Sequence, residues 1–331
     1  MVRLLVASLI VMAGCAGKLE TSAADAGTGG VGPSCDETGG APPIDCPPVT
    51  GPTAPACSSV EKVKACPTDN PCMAPVKQSG AVLSHRIGRL RFWAPASMSN
   101  LAAIAFDPNV NAHCANSGTE GLSWLLQLDR GADTLRVGSS PPSPDGRTFS
   151  FLPDLWSGEA LAAVCPGFIG PASPASLASV ETRILKSGSG FAADVIPQLN
   201  VAIFDASGVP MVLPLREVTI RADAMPDPTC IGSWNPNLWC DGDSLGWTTG
   251  GTITAKITAE DADRVPVRPA GCQSLCAIFV NDATKTEGKV CKRGSDGKLP
   301  EIGDACVGGT GCKNAFLMRM SFASYGVTIK P

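Results

Sequence analysis

The chain has 331 residues and a formal net charge of -4, with 44% hydrophobic and 17% charged residues, so most of it is predicted to fold around a core. A sequence pI of about 5.3 and the lack of Lys/Arg runs argue against a nucleic-acid-binding surface. Fifteen cysteines are too many for a reducing cytosol unless they hold metal ions or clusters. The composition therefore favours an exported protein.

The N-terminus has the layout of an export signal. Arg3 precedes an uncharged apolar run of ten residues, Leu4 to Ala13, which is too short to span a bilayer. The run ends in Met12-Ala13-Gly14-Cys15, which resembles the lipobox of bacterial lipoproteins, although that family prefers Leu where Met12 stands. The resemblance implies cleavage after residue 14 and a diacylglycerol on the Cys15 thiol. Ordinary secretory cleavage after Ala16 is the alternative.

The residue after the lipidated cysteine bears on the destination of the protein. Enteric lipoproteins that stay in the inner membrane carry Asp at this position, whereas this chain has Ala16. The resemblance therefore implies an outer-membrane lipoprotein that faces the periplasm or the cell surface. Its membrane contact would be the lipid on Cys15.

The predicted layout has three parts. Residues 1–14 are the signal peptide, and residues 15–56 are a Gly/Pro-rich segment with few large apolar side chains. Such a segment buries too little surface to offset the entropy of ordering, so we predict a flexible tether. Residues 57–331 form the folded body, with a division into two halves near residue 190 as an option.

The cysteines that remain after removal of the signal peptide are predicted to form disulfides. Fourteen follow Cys15, an even number, as full oxidation requires. Sequence does not fix their connectivity, but short separations favour local bridges. The favoured pairs are Cys66–Cys72, Cys230–Cys240 and Cys306–Cys312.

The body is predicted to be all-β. Residues 216–222 and 252–258 alternate polar and apolar side chains strictly, as half-buried strands do. Further strands are predicted at 87–93, 122–128, 134–137, 148–151, 275–280 and 316–322, and 199–204 with 209–213 indicate a hairpin. Helix signals are few, with one turn at 259–263 and a candidate at 175–185. We therefore predict a disulfide-rich antiparallel β-sandwich or jelly-roll-like fold with few short helices.

The sequence lacks the familiar catalytic signatures. It has two histidines, His85 and His113, and neither belongs to a recognisable Ser-His-Asp or zinc motif. Paired carboxylates for glycoside hydrolysis leave no local signature, because the fold sets their spacing. An enzyme is therefore the less favoured prediction.

Two patterns bear on metal binding. Asp107, Asn109 and Asn111 place oxygen side chains at alternate positions, which indicates either a loose calcium loop or an Asn/Asp-rich turn. Cys272 and Cys276, with Cys291 nearby, could offer zinc ligands, but an exported chain favours disulfides there. No other cofactor is expected.

A tryptophan-rich segment, 226–247, is the strongest candidate binding loop. Flat aromatic faces beside amide and carboxylate groups suit stacking on sugar rings. The alternative is that these indoles fill the core of a small disulfide loop. The candidate residues are Trp234, Asn235, Asn237, Trp239, Asp241, Asp243 and Trp247.

The anchor, tether and cysteine-braced body together resemble, in layout, surface lipoproteins of myxobacterial-type Gram-negative bacteria. This resemblance implies no activity. The leading hypothesis is a binding or structural lipoprotein with a glycan or protein ligand and no nucleic acid. The alternative is an exported hydrolase that acts on glycans through paired carboxylates.

Overall fold

The computed structural model describes residues 76–95, 97–98, 121–143, 147–153, 155–156, 159–166, 175–187, 190–204, 208–222, 227–234, 247–248 and 250–331. The predicted signal peptide and tether lie outside these residues. So do several predicted site residues, which stay predictions: Cys15, Cys66, Cys72, Cys240, Asp107, Asn109 and Asn111.

Strands dominate the described residues. They are β1 (Val82–Ala94), β2 (Ser123–Asp129), β3 (Thr134–Ser140), β4 (Thr148–Ser150), β5 (Leu155–Trp156), β6 (Ala175–Ser176), β7 (Val180–Ser187), β8 (Gly190–Ala193), β9 (Ile196–Phe204), β10 (Pro210–Ala222), β11 (Cys230–Ile231), β12 (Ser233–Trp234), β13 (Trp247–Thr248), β14 (Gly251–Thr258), β15 (Pro266–Val267), β16 (Gln273–Ser274), β17 (Thr286–Glu287), β18 (Val290–Cys291), β19 (Ala315–Gly326) and β20 (Thr328–Lys330). The α-helices are α1 (Glu159–Val164), α2 (Ala259–Asp263) and α3 (Leu275–Val280). None of these helices has the length and apolarity needed to cross a membrane.

Eight antiparallel strands close into a barrel. Their order is β1-β2-β3-β7-β8-β10-β14-β19, and β19 pairs back with β1. Strand β9 pairs with β10, and β11 pairs with β19. Strands from both sides of residue 190 share this one barrel. Closure pairs each of these eight strands with a neighbour on both edges.

The predicted class is confirmed at the coarse level: the described residues are mostly β, with disulfides and few short helices. The finer expectation was a sandwich or a jelly roll, whereas the hydrogen bonds trace a closed barrel. Alternation of side chains shows which face of a strand is buried. It does not show whether the two edges of a sheet meet, and here β1 pairs with both β2 and β19.

Alternating side chains fill the barrel, and β14 shows the pattern clearly. Ile253, Ala255 and Ile257 are fully buried, while the residues between them are half-buried. Gly251 continues the inward row, where a Cβ atom would overlap the ring of Phe322. This glycine therefore lets the phenylalanine ring pack inside the barrel.

A segment between β14 and β19, residues 259–314, covers one end of the barrel, and we call it the cap. It contains α2 and α3, and most of its buried apolar residues belong to the same cluster as the barrel core. Phe279 of the cap meets Phe316 of β19 edge to face, with ring centroids 5.0 Å apart. The cap and the barrel therefore share one hydrophobic core.

Disulfides tie the cap together and to the rest of the body. All seven cysteines among the described residues are disulfide-bonded. The partner of Cys230 lies outside the described residues, so its predicted bond to Cys240 stays a prediction. The other bonds are Cys165–Cys272, Cys276–Cys291 and the predicted Cys306–Cys312.

Two predictions of local structure are wrong. Residues 275–280, predicted as a strand, form helix α3, because Ser274 caps its N-terminus and Asn281 ends it in a left-handed conformation with φ 44°. Residues 175–185, predicted as helical, contain β6 and most of β7. Strand β7 is held by pairing with β3 on one edge and β8 on the other, and this overrides its local preference.

Candidate binding face of the barrel

The tryptophan loop predicted from the sequence is only partly described. The backbones of Trp234 and Trp247 pair across β12 and β13. The other five residues of that predicted site lie outside the described residues: Asn235, Asn237, Trp239, Asp241 and Asp243.

The barrel interior offers little to a polar ligand. A cavity of about 10 Å³, with room for about one water molecule, lies among side chains such as Phe92, Trp124 and Met320. The side chains of an eight-stranded barrel normally fill its interior or leave room for one small ligand. The lining of this cavity is apolar apart from the indole N–H of Trp124, which is buried without a hydrogen-bond partner among the described residues.

A histidine is buried inside the barrel near the end opposite the cap. His85 lies between Leu83 and Ile87 on the inward face of β1, and its Nδ1 is 3.3 Å from Ser324 Oγ. Among the described residues, its Nε2 has no hydrogen-bond partner of good geometry. Burial, together with the charge of Arg130, lowers the pKa of His85 to about 4. The imidazole is therefore neutral at physiological pH and serves as part of the core.

The cap contains the most connected set of charges in the described residues. Arg293 donates to both carboxylate oxygens of Glu260 at 3.0 Å and to Asp263 Oδ2 at 2.9 Å. Asp263 Oδ1 also accepts from the Cys291 amide at 2.8 Å and from Ser274 Oγ at 3.1 Å. The network fixes the cap rather than opening onto a cleft.

The same network does not suit acid catalysis. Burial opposes ionisation of Glu260, but hydrogen bonds from Arg293 and from the Leu299 amide outweigh it and lower the pKa of Glu260. A general acid for glycoside hydrolysis needs a raised pKa instead. Arg293 also forms ion pairs with both carboxylates of this pair.

The network also does not provide a metal centre. Asp263, Cys276 and Cys291 place their ligand atoms within 4.8 Å of one another. The two sulfur atoms are joined in a disulfide, so neither is a thiolate. The expectation of disulfides rather than zinc at Cys272, Cys276 and Cys291 agrees with this geometry.

Replacing Asp263 by Asn is expected to destabilise the protein by about 3 kcal/mol, because the amide presents a donor where the carboxylate accepts from Arg293, Ser274 and Cys291. Urea unfolding measures the loss. Asp296→Asn is the control, because that exposed carboxylate accepts only a local hydrogen bond from the Lys298 amide. Equal losses for the two variants would contradict the structural role of Asp263.

The outer surface of three neighbouring barrel strands forms a continuous polar face. Residues on β10, β14 and β19 stand side by side in two rows, set by the strand register. One row is Arg221, Thr252 and Ser321, of which Ser321 is buried, and the next is Thr219, Thr254 and Arg319.

An indole borders these two rows. Trp93 of β1 is 38% exposed, and its Nε1 donates to Ser321 Oγ at 3.0 Å. This bond fixes the ring beside Arg319 of β19. Arg319 pairs with Ala94, which follows Trp93 on β1. We call Trp93 and the six residues of the two rows the arginine–threonine face.

Two positive charges on this face are uncompensated. The side chains of Arg221 and Arg319 are exposed, and neither forms an ion pair with a described carboxylate. The neighbouring cations do have partners: Lys256 pairs with Glu217, and Arg216 pairs with Asp261 at 3.2 Å. The face therefore carries a local positive charge on a chain whose net charge is negative.

A bulge in β10 borders the face. The register of β10 against β14 shifts between Arg216 and Thr219, and Glu217 adopts a left-handed conformation with φ 49°. The bulge turns the Glu217 carboxylate toward Lys256, whose Nζ also donates to the Cys306 carbonyl at 2.8 Å. These contacts keep the one acidic residue of β10 paired and leave the rows without free negative charge.

The sequence did not reveal this face as a site. The alternating Thr and Arg residues of β10 and β14 were visible as outward positions of strands. Their alignment with Arg319 and Trp93 depends on pairing between distant parts of the chain. The available signal was the strict alternation of residues 216–222 and 252–258 with hydroxyl and guanidinium groups outward.

Comparisons with protein-family models, with curated proteins and with solved structures give no match to this chain.

Proposed function

We propose that this chain is an exported lipoprotein, anchored through Cys15 in the outer membrane, whose barrel binds a ligand on the arginine–threonine face. The observation that carries the proposal is the pair of uncompensated guanidinium groups beside a half-exposed indole on the outer face of neighbouring barrel strands. Exposed charged and aromatic groups held on rigid strands are typical of binding surfaces.

Export is supported by the oxidation state of the body. Each of the seven cysteines in the described residues is in a disulfide, which persists in extracytoplasmic compartments. In this proposal the tether, residues 15–56, holds the barrel away from the membrane, and the membrane partner is the lipid alone.

The anchor is tested by changing Cys15 to Ser. The variant is expected to leave the membrane fraction or to accumulate as uncleaved precursor, because the thiol that takes the lipid is gone. Intact-mass spectrometry of the wild-type protein should show a chain that begins at Cys15 and carries acyl groups. A mature chain that begins at Gly17 without acyl groups would refute the anchor.

The binding function is tested with the full chain and with the double variant Arg221→Gln/Arg319→Gln. The probe is the total polysaccharide extracted from the producing cells and immobilised on a sensor surface. The proposal expects the wild-type protein to be retained and the double variant to be retained much less. Equal retention of both proteins, or retention of neither, would contradict binding through this face.

The alternative of a glycan hydrolase has no specific support in the described residues. Glu260 and Asp263, the carboxylates that share a partner, both form ion pairs with Arg293. We therefore do not propose catalysis.

A further inference from the structure

We infer that the ligand of the arginine–threonine face is an acidic polysaccharide, whose carboxylate groups contact Arg221 and Arg319 while its sugar rings lie over Trp93 and the threonine rows. This inference rests on the proposed function and names the ligand class for that face.

The positive charge of the face favours a negatively charged ligand. Arg221 and Arg319 project from an outer surface on which Glu217, the one acidic strand residue nearby, is bound to Lys256. A guanidinium fork matches the two oxygens of a carboxylate, and neither fork is used within the described part of the chain. An anionic ligand would thus gain two contacts without displacing an internal ion pair.

The other groups of the face point to sugar. An indole face packs against the apolar side of a sugar ring, and the Thr219, Thr252 and Thr254 hydroxyls can each donate to and accept from ring hydroxyls. A protein-binding surface would have an apolar centre. Trp93 is the only large exposed apolar side chain on this face; the other exposed ones of the described residues lie elsewhere: Val82, Leu185, Val195 and Val290.

The register fixes the spacing between the two cations. Arg221 lies on β10 and Arg319 on β19, with β14 between them. Along the strand direction, the two arginines are offset by two residues. Standard sheet spacings place their Cα atoms on the order of 12 Å apart. One anion cannot bridge such a separation at short range, whereas an extended polymer with repeated carboxylates can contact both arginines.

The test compares the binding of two polymers that have the same sugar backbone and differ in charge. Polygalacturonate carries free carboxylates, and its fully methyl-esterified form lacks the charges. The full wild-type chain is expected to bind polygalacturonate about tenfold more tightly than the ester, and to lose this preference as salt rises from about 0.05 to 0.5 M. Alginate, a second uronate polymer, is expected to bind as well.

Matched variants locate the binding. Arg221→Gln/Arg319→Gln is expected to weaken polygalacturonate binding about tenfold, since two exposed charge contacts are lost. Arg183→Gln/Lys289→Gln removes the same charge from exposed positions elsewhere and should bind like the wild-type protein. Unchanged melting temperatures for both double variants show that folding is intact.

Each outcome decides the inference. No binding of either uronate polymer, or equal loss in the two double variants, would overturn it. Equal binding of the free acid and the methyl ester, still lost in Arg221→Gln/Arg319→Gln, would overturn the acidic ligand class while leaving the proposed binding function in place.

Discussion

Removal of the Cys165–Cys272 disulfide, by changing both residues to Ala, is expected to lower the free energy of unfolding by about 4 kcal/mol. The bond joins residues 107 apart in sequence, and in the chain-entropy model a loop of about 100 residues is stabilised by roughly 4.7 kcal/mol. It also links the end of α1 to the cap, so its loss frees both segments in the unfolded state. Urea unfolding under non-reducing conditions measures the change.

The Cys306–Cys312 bond provides the control. It closes a loop of sequence separation 6 within the cap, for which the same model gives about 2 kcal/mol. The double variant Cys306→Ala/Cys312→Ala should therefore cost about half as much as the loss of the long-range bond. If the two double variants are equally stable, the long loop does not restrict the unfolded chain as the model requires.

Acid is expected to destabilise the barrel through His85. Its pKa is about 4 in the folded protein and 6.5 in its ordinary state. Between these values the unfolded chain binds a proton that the folded chain does not bind, so stability falls as pH is lowered. The full contribution is present above about pH 6.5, and about 3 kcal/mol is lost by pH 4.

A variant isolates this contribution from the other titrating groups. His85→Leu keeps an apolar side chain between Leu83 and Ile87 and removes the proton site. The free energy of unfolding of the variant should change less between pH 6.5 and 4 than that of the wild-type protein, by about 3 kcal/mol. His113 and the carboxylates are common to both proteins. Parallel pH profiles would show that His85 is not buried as the structure has it.

The local structure of the barrel strands was largely predictable. The strict alternation in β10 and β14 identified both strands and the face that each buries, because one face of each contacts the core. The Cys306–Cys312 disulfide was also predictable from local sequence, because a sequence separation of 6 keeps the two cysteines close to each other. The apolar run of α3 was not predictable, because a short buried helix and a short buried strand have the same composition.

Closure of the barrel and the candidate site were beyond sequence reasoning. Both depend on which strands are neighbours, above all on β19, which pairs with β1 and β14. The register of these pairs places Arg319 beside Thr254 and brings Trp93 onto Ser321. Tryptophan content drew attention to the 226–247 segment instead, because clusters in sequence are visible and clusters across strands are not.

The arginine–threonine face thus differs in kind from the binding loop predicted from the sequence. The loop would present its aromatic groups on one short segment. The face instead spreads its groups over four strands of a closed, disulfide-braced barrel, whose backbone hydrogen bonds fix their spacing. A rigid surface of this kind loses little conformational entropy on binding.

Side-chain footprinting by hydroxyl radicals tests the location of the binding site most directly. The full chain is oxidised with and without saturating polygalacturonate, and the modification of each tryptophan is measured by peptide mass spectrometry. We expect oxidation of Trp93 to fall several-fold in the presence of the polymer, while Trp234, Trp239 and Trp247 stay unchanged. Unchanged oxidation of Trp93 with protection of Trp234, Trp239 and Trp247 would contradict the arginine–threonine face as the binding site and favour the loop.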